Sequence, residues 1–125
     1  MTSSDQENCA QNAAQNTTPT KLSIPQLNDN LRRDWVGGRV AWTAGVEQLG
    51  IDTIINIFEA VNEFDSFTPD NDPYGEHDFG AVEIAGQRIF WKIDYYDKAL
   101  ECGSPDPSDP AVTTRVLTVM LASDY

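Results

Sequence analysis

The sequence predicts a small α+β domain: a three-stranded, mostly antiparallel sheet, made of one strand plus a hairpin, packed against two or three helices. Three observations carry this reading. Residues 51–67, IDTIINIFEAVNEFDSF, repeat large apolar side chains at helical spacing. Residues 79–97, FGAVEIAGQRIFWKIDYYD, alternate apolar and polar side chains about a central Ala85-Gly86. The 125 residues and 40% apolar content fit one domain with a real but modest core.

Taken in order, residues 1–20 are rich in Gln, Asn, Ser and Thr, with almost no large apolar side chain. They cannot offset the entropy of ordering, so a disordered polar tail is expected, with a single domain over 21–125. Residues 21–35, KLSIPQLNDNLRRDW, read as a short helix, with Ser23 as cap, Pro25 in the first turn and an end before Gly37-Gly38. In 38–46 the alternation of Val40 and Trp42 with Ala41 and Thr43 suggests a strand, and Gly45 and Gly50 bracket a connector. The helix over 51–67 uses Ile51, Ile54, Ile55, Phe58 and Val61 as its apolar face, with Asp52 near its start. In the hairpin, an Ala85-Gly86 turn pairs Ile84 with Gln87 and Val82 with Ile89, and sets Glu83 beside Arg88. Alanine is a poor first residue for such a turn, so a bulged loop shifting the register by one is the competing form. After the proline-rich SPDPSDP (104–110), Asp109 and Pro110 read as the opening of a last helix. That helix would point Arg115 outward and bury Val112, Val116, Leu117, Val119, Met120 and Leu121.

The formal charge of −12 is unevenly spread. Residues 40–87 hold ten acids and no Lys or Arg, and so carry −10 of it. Such a field repels phosphate backbones and attracts basic protein surfaces. On the helix, Asp52, Asn56, Glu59 and Glu63 share a stripe, and Glu59 and Glu63 repel at i,i+4 with no lysine between them. Residues four apart rise about 6 Å along a helix, similar to the through-space separation of successive phosphates in one nucleic-acid strand. Asp65, Asp70, Asp72, Glu76 and Asp78 extend the tract, giving an eight-residue acidic face beginning at Asp52.

FTPDNDPYGEHDFG, residues 67–80, gathers Asp70, Asp72, Glu76 and Asp78 around the only histidine, His77. Asp70 to Gly75 resembles the start of an EF-hand loop but departs from it at Tyr74 and at Ala81, where the bidentate Glu belongs. A site for a hard cation built from Asp70, Asp72, Glu76, His77 and Asp78 stays open. The competing reading is a turn made by Asx side chains, Pro73 and Gly75. For His77 the alternatives are a general base and a loop-holding hydrogen-bond partner; no Ser, Cys or second His forms a triad pattern with it. One His and two separated cysteines, Cys9 and Cys102, supply no usual zinc set and no disulfide framework. Phe90 and Tyr96 alternate away from the apolar face of the hairpin and form a candidate protein-contact pair.

DNDPYGEHDFG, RIFWKIDYYD and DPAVTTRVLTVMLASDY, in that order, resemble a bacterial family catalogued as domain of unknown function 3768. NDNLRR and GGRV are similar too, and the likeness runs over about residues 27 to 125. The resemblance implies a setting in alphaproteobacteria, their plasmids and phages, where inhibitors of host defence are common. It assigns no activity and no catalytic residue.

The expectation is therefore a non-enzymatic acidic protein that binds a basic surface on a nucleic-acid-handling host protein, of anti-restriction or anti-CRISPR type, by nucleic-acid mimicry. The alternatives are a small metal-binding or enzymatic domain centred on the Asp70–Asp78 loop, and a module that oligomerises through Phe90 and Tyr96. No cofactor is expected. The start MTSSDQENCAQ lacks a secretory signal pattern and no long apolar run exists, so a soluble, cytoplasmic protein is expected.

Overall fold

A computed structural model describes residues 21–125; the expected polar tail, with Cys9, lies outside the described residues. Ser23 opens the first helix, α1 (Ile24–Asp34). Its hydroxyl accepts from the Gln26 N–H while the Gln26 side chain returns to the Ser23 N–H, the reciprocal arrangement that satisfies two orphan donors. Trp35 ends the helix in the left-handed region, φ 61°. Strand β1 (Gly38–Trp42) is shorter than the strand read over 38–46, because Thr43 caps a single-turn helix, α2 (Ala44–Glu47), that takes its last residues and the start of the connector. Helix α3 (Ile51–Glu63) is the one that the periodicity predicts, four residues shorter at its end.

The hairpin forms in the register read from sequence. In β2 (Phe79–Ile84) and β3 (Gln87–Tyr96), Val82 pairs with Ile89 and Ile84 with Gln87, and an Arg88–Glu83 bridge of 3.0 Å spans the pair. Ala85 and Gly86 both take positive φ, 53° and 76°, so the turn is the tight two-residue type and not the bulged one.

The last element corrects the sequence reading. Residues 110–125 do not form a helix: they lead into strand β4 (Thr114–Leu121) and a short 3-10 turn at Ala122–Asp124. Asp109 instead accepts from the Ala111 N–H in a turn. The reason lies in the side chains. Thr113, Thr114, Val116, Thr118 and Val119 are β-branched and lose χ1 freedom in a helix. Arg115, Leu117 and Val119 alternate into the core while Thr114, Val116 and Thr118 alternate away from it.

The sheet therefore has four strands in the order β1-β4-β3-β2, and it is mixed. β4 runs parallel to β1 and antiparallel to β3, so the new strand also places β1, whose position the sequence left open. The helices pack on one face. Leu31, Val46, Ile54, Ile57 and Val61 meet Ile89, Trp91, Ile93, Leu117 and Val119 in one buried cluster. Gly80 is needed there, because a Cβ would stand 2.5 Å from the Trp91 indole nitrogen. No helix of the described residues is long and apolar enough to cross a membrane.

Candidate functional site

The 67–80 loop is anchored by its own carboxylates. Asp72 is buried, and its carboxylate accepts from the main-chain N–H groups of Glu76 (3.0 Å) and His77 (3.2 Å). Thr68 and Asn71 close the preceding turn through reciprocal bonds. His77, at φ 58°, stacks flat on Phe67 with ring centroids 4.0 Å apart. Its Nδ1 lies 3.2 Å from both oxygens of Asp29 on α1, while its Nε2 lies 3.8 Å from Asp72. Asp29 also accepts from Arg32 at 2.7 Å. His77 thus ties the loop to α1 through a carboxylate, the geometry of a loop-holding residue.

Beneath this lies a buried polar network. Arg32 is fully buried, donates to the Val61 (3.0 Å) and Phe64 (2.6 Å) carbonyls at the end of α3, and lies over the rings of Phe67 and Trp91. These charged donors hold the C-terminal end of α3, whose last turn has no basic residue and where the Val61 carbonyl also accepts from the Phe64 N–H. Asn28 donates to the Glu76 carbonyl (2.9 Å) and the Tyr95 hydroxyl (2.8 Å), and accepts from Arg115 Nε (2.8 Å). Arg115 also donates to the Pro107 carbonyl. Tyr95 in turn donates to the Glu76 carboxylate at 2.7 Å. Burial, and then the hydrogen bond to Glu76, raise the Tyr95 phenol well above its ordinary range. Burial pulls the Arg115 guanidinium downward.

This network divides the eight carboxylates of the expected acidic face. Asp52, Glu59, Glu63, Asp65 and Asp70 are exposed. Asp72, Glu76 and Asp78 are turned inward: Asp72 into the loop, Glu76 onto Tyr95, and Asp78 half-buried with its carboxyl raised by burial and then by Glu76. Among the described residues no group of three or more His, Cys, Asp and Glu side chains converges as a metal ligand set. Phe90 and Tyr96 share a face of β3 but do not form an exposed pair. Phe90 is partly covered by Phe79 and Tyr125, at 5.2 and 5.5 Å between ring centroids.

Alongside the exposed carboxylates lies an apolar groove that the sequence reading did not single out. It encloses about 560 Å³ between β1 and α3, lined by Trp35, Val40, Trp42, Ile54, Ile55, Phe58, Glu59 and Asn62. Phe58 is met edge-on by Trp35 (5.4 Å) and by Trp42 (5.5 Å). Trp42 is further pinned by its indole N–H, which donates to Glu47 at 2.6 Å. Both indoles remain more than two-fifths exposed. Of the expected apolar face, Ile54 and Val61 are buried, joined by Ile57, while Ile51 and Ile55 are 69% and 50% exposed. A signal was present. With 100° per residue, the apolar residues of α3 cover about half its circumference, more than one packed face requires.

The chain belongs to the family described as protein of unknown function DUF3768, which it matches over residues 42–124. The match begins at Trp42, so NDNLRR and GGRV lie ahead of it. No curated protein and no solved structure matches the chain.

Proposed function

We propose that the protein is a non-enzymatic binding protein whose acidic α3 surface docks onto a basic protein surface. The partner we infer is a nucleic-acid-handling host defence protein of the restriction or CRISPR kind, which the carboxylate row blocks by standing where phosphates would. The observation that carries this reading is the exposed series Asp52, Glu59, Glu63, Asp65 and Asp70, within a tract that contains no Lys or Arg from residue 40 to 87. Solubility alone needs net charge, not 48 consecutive residues without a cation. The mobile-element setting implied by the family resemblance supports the same reading, and the encounter we propose is cytoplasmic.

The test is low-salt affinity capture from the native host on the immobilised chain. A nucleic-acid-binding protein should be retained, released by raised salt and displaced by duplex DNA. Recovery of none would contradict the proposal.

A further inference from the structure

We propose that the open edge of β1 accepts an extended, basic segment of a partner protein, which adds to the sheet as a fifth strand and seats apolar side chains in the β1–α3 groove. This rests on the acidic-surface reading above and specifies the partner segment. β1 lies at the end of the sheet and pairs only with β4 among the described residues. Just past it, Thr43 donates its N–H to the Val119 carbonyl at 3.1 Å. Main-chain groups alternate along a strand, so those of Val40 and Trp42 point away from β4, toward the open side. An unpaired edge of this kind is a template for an added strand.

The groove begins at the same two residues. The side chains of Val40 and Trp42 line it, on the face that meets α3. An added strand would project alternate side chains to that face, directly over Ile55 and Phe58. The charge of the rim selects the occupant. Glu59 is the only charged residue lining the groove, Asp52 and Glu63 lie on the same stripe, and no Lys or Arg lines it. A flanking arginine can lay its stem on the exposed indoles and bring its guanidinium to Glu59. A second copy of this chain is a poor occupant, because each carries −12 and edge pairing would bring two acidic stripes together.

The test titrates the full chain, at low salt, with three labelled nonapeptides. One has three arginines on each side of a Leu-Thr-Leu centre. The second has the same arginines around Gly-Ser-Gly, and the third carries glutamates around Leu-Thr-Leu. The first should bind about tenfold more tightly than the second, shift the Val40 and Trp42 amides and slow their hydrogen exchange. Ile55→Asp, at a half-exposed position, should erase that preference while leaving the Gly-Ser-Gly peptide bound at least as well. Equal binding of the two arginine peptides, with shifts confined to α3, would overturn the strand-addition inference and leave the acidic-surface reading standing. Failure of both arginine peptides to bind would remove both. Tight binding of the glutamate peptide, or a dimer by light scattering of the free chain, would overturn the inference.

Discussion

At the scale of single residues, the most informative side chains are polar ones in the interior. Asn28 satisfies three of its hydrogen-bonding positions with partners from the 67–80 loop, β3 and β4. Asn28→Ala would strand the Arg115 Nε–H and remove a donor from Tyr95, so we expect a loss of about 2–3 kcal/mol in urea unfolding, the cost of orphaning buried groups near a charge. Asp78 should behave in the opposite sense. Its carboxyl is raised above 3.8 by burial and then by Glu76, so the folded state holds its proton more tightly than the unfolded state. The stability that this contributes is present below pH 3.8 and is lost as pH rises through the elevated folded value. At neutral pH the ionised group is a liability, and Asp78→Asn should raise the melting temperature there, with the gain shrinking as pH falls through the elevated folded value toward the unfolded one. None of this network was legible in the sequence. Asn28, Asp29, Arg32 and Arg115 sit 29 to 87 residues from most of their partners in a chain with no pattern that links them, and a buried arginine looks like any surface arginine until its partners are placed. His77 was legible as a problem; its answer, Asp29, lay 48 residues away.

At the scale of elements, α1, α3 and the hairpin were readable because local rules agree with tertiary demand. Ser23 and Pro25 mark the start of α1, and the alternation of Val82, Ile84, Ile89, Trp91 and Ile93 sets the hairpin register. β4 was misread because DPAVTT carries a helix-start signature and VLTVML is apolar enough for either state. The β-branched content favours the strand, which then pairs with β1 on one side and β3 on the other. The Ala85 turn is the weak point of the hairpin, since an L-residue with a Cβ is held at φ 53°. Ala85→Asn supplies the residue favoured before glycine in this turn and should stabilise the fold by about 0.5–1 kcal/mol, read as a higher denaturation midpoint with unchanged slope.

At the scale of the whole molecule, charge and groove lie on one side of α3. The acidic stripe was legible as a stretch without cations; the groove was not, because Trp35, Trp42 and Phe58 come from three elements and meet only in the fold. A net charge of −12 on 125 residues repels itself. The melting temperature should therefore rise as ionic strength goes from about 0.01 to about 0.15 M, over which the Debye length falls from about 30 to about 8 Å. Partner binding should move the other way over the same range. The most direct test of the central claim compares capture from the native host by the wild-type chain and by Asp52→Asn/Glu59→Gln/Glu63→Gln, three exposed positions outside the core. A binding protein that works through this surface should retain a nucleic-acid-binding partner at low salt only in the wild-type form. Equal retention by both, or retention that survives about 1 M salt, would contradict it.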